Sequence, residues 1–97
     1  MQKIIRPRAG GKTTQLIKMA SEANGWIVCH SRAEAERIAL QAEKMGLHLF
    51  FPITYQELLE NHPLNPYRAK LFIDNADLLV QFIAGRYSVE AITMTDV

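Results

Sequence analysis

Two short segments of this chain carry residue types that can do chemistry together. The first is Arg6-Pro7-Arg8-Ala9-Gly10-Gly11-Lys12-Thr13-Thr14. It lies between a short β-branched run, Lys3 to Arg6, and a stretch with helical periodicity. Backbone N–H groups from about Ala9 to Thr14 would converge there on one concavity, and a helix N-terminus adds partial positive charge. Gly10 and Gly11 permit backbone angles and a close approach that a side chain would block. Lys12 brings a mobile point charge and Thr13 a hydroxyl. That pairing suits a polyphosphate and the hard divalent cation that accompanies it. The second segment, Leu71-Phe72-Ile73-Asp74, is an apolar run of strand length that ends in a carboxylate. Taken by itself this is a common way to begin a turn; paired with the first segment it becomes a candidate metal ligand.

The first segment resembles the Walker A phosphate loop, G-x-x-x-x-G-K-[ST], with Arg6 where the first glycine belongs and hence a modified loop entry. The second resembles a Walker B strand. Asp74-Asn75-Ala76-Asp77 looks like the Asp-Glu-Ala-Asp signature of helicases, with Asn75 in place of the glutamate. Arg8 resembles the arginine in the phosphate loops of viral DNA-packaging terminases. The order of parts across nearly the whole chain resembles the first half of a helicase or AAA-type ATPase core. The resemblance implies ATP and Mg²⁺ as ligands. Arg8, Ala9, Gly10, Gly11, Lys12, Thr13 and Thr14 would surround the phosphates, and Thr13 and Asp74 would hold the metal. Asn75 or Asp77 would position the attacking water. Thr95, at the end of the last strand, would sense the γ-phosphate.

An amide has no lone pair basic enough to take a proton, so Asn75 can only orient water. A general base contributes on the order of 10²–10⁴ in rate. No arginine finger is identifiable, and Arg86 reads better as a solvated loop residue. A finger from another copy or a partner would add about 10³–10⁵. The expected function is Mg²⁺-dependent binding of ATP or another nucleoside triphosphate, with slow or partner-activated hydrolysis in nucleic-acid processing. Partners on this reading are DNA, a nucleic-acid-processing protein or a second copy of the chain. A non-hydrolysing nucleotide-binding module is the alternative. A nucleotide kinase is disfavoured because no arginine-rich lid is present. A small phage-encoded ATPase would fit, working in the host cytoplasm.

These residues require a scaffold of alternating strands and helices. The periodicity predicts a helix from about Lys12 to Ala23, with Leu16, Ile17 and Ala20 on one face and Asn24-Gly25 as the stop. Trp26 to Cys29 is a strand. Ser31 and Glu34 form a capping box that opens a helix with the stripe Ala35, Ile38, Ala39, Ala42 and Met45, ended by Gly46. Leu47 to Phe51 is the next strand candidate. Thr54 and Glu57 repeat the capping box for a short helix, and His62 to Asn65 and Pro66 form a loop. Leu78, Leu79, Phe82 and Ile83 mark a further helix face before Gly85, and Val89 to Thr95 reads as a last strand. The expected architecture is α/β, a three-layer P-loop NTPase-like fold with a short parallel sheet and helices on both faces. Strands apolar at successive positions imply burial on both sides. Residues 1–97 are expected to form one domain, and the resemblance places the Thr95 strand between the Lys12 and Asp74 strands.

Composition narrows the classes. The chain has 97 residues, 48% hydrophobic and 22% charged, with a net charge of +1. No apolar run approaches the roughly 20 residues of a membrane helix, and the first residues do not read as a signal peptide. Cys29 is the single cysteine, which favours a reducing, cytoplasmic setting. Cys29, His30, His48 and His62 lack metal-ligand spacing. The basic cluster Lys3, Arg6, Arg8 and Lys12 reads as a phosphate pocket ahead of a nucleic-acid patch. Trp26 reads as core, and Arg32 and Arg37 as a solvated face.

Overall fold

The structure, a computed structural model, describes residues 11–60, 64 and 68–93. Seven elements follow in order: α1 (Lys12–Ala23), β1 (Trp26–Cys29), α2 (Arg32–Lys44), β2 (Ile53–Thr54), α3 (Tyr55–Leu59), β3 (Leu71–Ile73) and α4 (Ala76–Ala84). The three strands form a parallel sheet in the order β2-β1-β3. Val28 lies opposite Ile53 on one edge of β1 and opposite Ile73 on the other. The chain is therefore α/β with a parallel sheet, and β1 is its centre among the described residues.

The side chains of β1 alternate between two apolar clusters, as the pleat requires. Ile27 and Cys29 pack with Leu16, Ile17 and Ala20 of α1 and Ala35, Ile38 and Ala42 of α2. Val28 packs with Ile53 and Tyr55, and Leu58, Leu64 and Leu79 lie against them. The predicted stripes of α1 and α2 pack, Ala39 aside, whereas Leu78, Phe82 and Ile83 of the predicted α4 face stay exposed. Asn24 ends α1 in the left-handed region at φ 53°, a conformation that asparagine tolerates better than most residues. Gly25 is needed for a different reason. A Cβ there would fall 2.3 Å from the Phe72 ring and 2.9 Å from the Lys70 carbonyl. The turn into β1 passes too close to the start of β3 for any side chain.

Four expectations change. Leu47 to Phe51 is not a strand; the paired residues are Ile53 and Thr54. Pro52 has no N–H for a ladder, and the preceding segment is held by side chains instead. Leu47 and Leu49 pack on the α1/α2 cluster, and Phe50 stacks on Trp26 with ring centroids 4.7 Å apart. Trp26 is thus half-buried and stacked rather than wholly core. Second, Ser31 caps α2 by accepting from the Glu34 N–H, but the Glu34 carboxylate pairs with Arg37 at 2.7 and 2.9 Å. The reciprocal half of that box is given up to an exposed ion pair worth little in stability. The second box, Thr54 with Glu57, is complete.

Third, residues 89–93 form no strand. Gln81 holds the chain after α4, donating to the Tyr87 carbonyl at 2.7 Å and accepting from the Val89 N–H at 3.3 Å. Fourth, β3 is not buried on both sides. Leu71 and Ile73 are exposed, and α4 buries no residue fully. The predicted Lys3 to Arg6 strand lies outside the described residues, as does the end of the Val89 to Thr95 segment. Among the described residues no helix is long and apolar enough to cross a membrane.

The close contact at Gly25 gives a prediction. Gly25→Ala should destabilise the fold by about 1–3 kcal/mol, the usual cost of forcing a group into packed space. Urea unfolding would show it as a lower midpoint with an unchanged slope.

Candidate functional site

The first turn of α1 and the end of β3 meet at one place. Gly11 is the N-cap of α1, with φ 75° and ψ 21°. Nothing lies within 4 Å of a Cβ built there, so the left-handed backbone and not crowding calls for glycine. Having no side chain, Gly11 cannot cap the helix, and the first turn holds no acid. The leading N–H groups of a helix have no partner within it. Among the described residues, the N-terminus of α1 thus keeps its partial positive charge without a side-chain cap or a first-turn acid.

On the other side, the Asp74 N–H donates to the Val28 carbonyl at 2.9 Å, which carries the β1–β3 pairing one residue past the strand. Asp74 is the buried charged side chain among the described residues, 3% exposed. Asn75 follows in the left-handed region, φ 54° and ψ 62°, and is the N-cap of α4. Lys12 Nζ donates to Asn75 Oδ1 at 2.7 Å. Asn75 Nδ2 in turn reaches Asp74 Oδ2 at 3.3 Å. Lysine, side-chain amide and carboxylate form one chain of hydrogen bonds across two segments far apart in sequence.

Burial pushes the Asp74 carboxyl above its ordinary value, and the Lys12 ammonium opposes this to a lesser degree. The strand end is also held from the start of α3, directly after β2. The Tyr55 hydroxyl bonds the carbonyl of Asp74 and, at 2.8 Å, that of Asn75. Burial raises the Tyr55 phenol well above its ordinary range, so it stays a donor. Tyr55 was not singled out by the sequence reading. The available signal was a tyrosine directly after a capping threonine, a large ring that seeks a partner for its hydroxyl once buried.

Of the expected site residues, Gly11, Lys12, Asp74 and Asn75 are brought together. Thr13 is half-buried in the first turn of α1. The Thr14 hydroxyl accepts from Gln41 Nε2 at 2.7 Å, which ties α1 to α2 and leaves Thr14 its backbone N–H for a ligand. Asp77 is exposed in the first turn of α4, where a carboxylate meets the positive end of that helix. Arg8, Ala9, Gly10 and Thr95 lie outside the described residues. Cys29 takes no part. Burial pushes its thiol up to about 11, and a protonated buried thiol is inert.

The two segments offer hard oxygen donors. Among the described residues no three His, Cys, Asp or Glu side chains gather to hold an ion. The Thr13 hydroxyl and the Asp74 carboxylate supply hard oxygens only, few in number. That suits Mg²⁺, which keeps several waters and takes one or two protein oxygens beside phosphate. A wide depression lined by Thr14, Lys18, Ser21, Glu22, Met45 and Leu47 contains neither Lys12, Asp74 nor Asn75. Among the described residues the candidate site is marked by its charges and donors, apart from that depression. No family model, curated protein or solved structure matches the chain.

Two outcomes follow from this geometry. Tyr55→Phe removes the donor shared by two strand-end carbonyls and should cost about 1–3 kcal/mol in urea unfolding. Asp74→Asn should act in the opposite direction. Because burial raises the Asp74 carboxyl, the folded chain holds that proton more firmly than the unfolded chain does. The stabilisation this brings is complete below the ordinary value of 3.8 and is lost as pH rises through the higher folded value. Asp74→Asn, which carries no charge at any pH, should therefore melt above wild type at about pH 7, with the gap closing towards about pH 4. Equal melting points at both pH values would contradict a costly buried carboxylate.

Proposed function

We propose that the chain binds a nucleoside triphosphate with Mg²⁺, ATP in the first place, and hydrolyses it slowly or only when a partner assists. The observation that carries this reading is the 2.7 Å bond from Lys12 to Asn75, which brings the glycine-lysine-threonine segment against the acidic strand end. The chemistry of the two segments is complementary only if they meet. The uncapped start of α1 supports the same reading, since free N–H groups and a helix dipole favour phosphate. Apolar clusters on both faces of β1 support a P-loop NTPase-like layered fold.

In this reading Lys12 neutralises the β- and γ-phosphates, and the N–H groups from Gly11 to Thr14 bond their oxygens. Thr13 and Asp74 would be the residues that hold Mg²⁺. The metal draws charge from the phosphates, and the chain's own groups orient them. Asp74 has to be ionised for this, and the combined charge of Lys12 and Mg²⁺ offsets the burial that favours its proton. Neither Asn75 nor the exposed Asp77 provides a general base next to the metal. Turnover therefore depends on a group supplied from outside, with DNA, a nucleic-acid-processing protein or a second copy as the candidate sources and the cytoplasm as the setting. The second reading, a module that binds nucleotide without hydrolysing it, is favoured by the engagement of Asn75 with Lys12.

Calorimetric titration of ATP into wild type and Lys12→Ala, with and without Mg²⁺, tests the proposal. Wild-type binding should strengthen with Mg²⁺, and Lys12→Ala should weaken it at least about tenfold, or about 1.4 kcal/mol. Equal affinity of the two proteins would remove the assignment. Single-turnover phosphate release with and without DNA then separates the readings. Release stimulated by DNA supports the hydrolase, and none under any condition leaves the binding module.

A further inference from the structure

Asn75 occupies the Lys12 ammonium at the point where a phosphate would have to take it. Among the described residues Lys12 Nζ bonds Asn75 Oδ1 at 2.7 Å, and the amide is aligned from its other end by Asp74 Oδ2 at 3.3 Å. The backbone beneath Asn75 is set by two further contacts. The Tyr55 hydroxyl bonds its carbonyl at 2.8 Å, and that carbonyl also accepts from the Leu78 N–H at 2.8 Å at the start of α4. The left-handed conformation, φ 54°, favours asparagine, aspartate or glycine over a longer side chain. A glutamate in this position would carry backbone strain. Asparagine is thus the residue that both accepts this conformation and offers the lysine a neutral oxygen.

We infer that Asn75 is a latch on Lys12 that sets the affinity for nucleotide, because triphosphate must displace its Oδ1 from the Lys12 ammonium before Lys12 can bind phosphate. The inference rests on the nucleotide-binding reading and deepens it. The latch holds the lysine on the Asn75 amide, one hydrogen bond removed from the Asp74 carboxylate. When phosphate takes Lys12, the Asn75 amide is released beside Asp74, where it can bond a water of the metal shell. Because Asn75 is also the N-cap of α4, occupancy of the site is felt at the start of that helix.

Asn75→Gly tests this without disturbing the backbone, since glycine adopts the left-handed region freely. With ATP in EDTA as the probe, so that no metal contributes, Asn75→Gly should bind about three- to tenfold more tightly than wild type, the worth of one lost competing hydrogen bond. Damage to the site would weaken binding, so a gain separates the latch from a structural role. In a Lys12→Ala background the same substitution should change nothing, which makes the pair a coupled cycle. A gain confined to proteins that keep Lys12 supports the latch. Unchanged or weaker binding by Asn75→Gly, with Lys12→Ala still abolishing it, overturns the latch and leaves the nucleotide site standing. Equal binding by wild type and Lys12→Ala overturns both. Should Asn75→Gly fail to fold, wild type itself gives the answer by NMR. Solvent exchange of the Asn75 side-chain amide protons should quicken at saturating ATP, and an unchanged rate would overturn the latch.

Discussion

The position of β1 between two parallel partners is the constraint on which the rest of the structure depends. Parallel pairing sends every carboxyl end to the same side of the sheet, and in open α/β sheets that side is where ligands are held. The register then decides which residues arrive there. Pairing of Val28 with Ile73 places Asp74 just past the last bridge, its N–H tied to the Val28 carbonyl. Pairing of Cys29 with Thr54 on the other edge places Tyr55 beside it, one residue on. A slip of one residue on either edge would turn these side chains to the opposite face. The Tyr55 hydroxyl and the strand-end carbonyls it bonds come from different edges, and β1 lies between them.

The two faces of β1 are unequally filled. The α1/α2 side holds eight buried residues in one cluster. The other side holds Val28, Ile53 and Tyr55, with Leu79 of α4 only partly covered. Leu78, Val80, Phe82 and Ile83 of α4 remain exposed, as do Leu71 and Ile73 of β3. Area removed from water is the main source of stability, so the first side carries most of it. The candidate site straddles this boundary. Lys12 stands on the well-packed side, at the start of a helix whose stripe is buried. Asn75 stands on the thin side, at the start of a helix with no buried residue. Elements with few buried contacts open at lower free energy, so α4 is the part of the site most able to move when its N-cap changes partner.

Charge is arranged with the same economy. Asp74 is costly to bury and is offset by Lys12 acting at a distance through a neutral amide. A direct ion pair would satisfy both charges and leave neither for a ligand. The intervening asparagine holds the lysine in register while most of the Asp74 charge stays uncompensated. That matches a site in which a carboxylate has to serve a cation and a lysine has to serve an anion.

The sequence by itself determined the local structure and the chemistry on offer. Helix stripes, the left-handed stop at Asn24, the caps at Ser31 and Thr54, and the acid-ended run of β3 depend on neighbours within a turn or two, and they were legible for that reason. Residue type alone also limits what Gly11-Lys12-Thr13 and Asp74 can each bind, so their candidate chemistry could be read before the contact of Lys12 with Asn75 was known. Tertiary structure decided what distance in space decides. It ended the Glu34 half of a capping box in favour of Arg37, moved a strand from Leu47–Phe51 to Ile53–Thr54 past a proline, and left β3 and α4 exposed. It also recruited Tyr55 and directed the Asn75 amide to Lys12. None of these follows from spacing, since each is a competition between partners brought together only when the chain folds, and the winner is set by register across β1 and not by sequence neighbours.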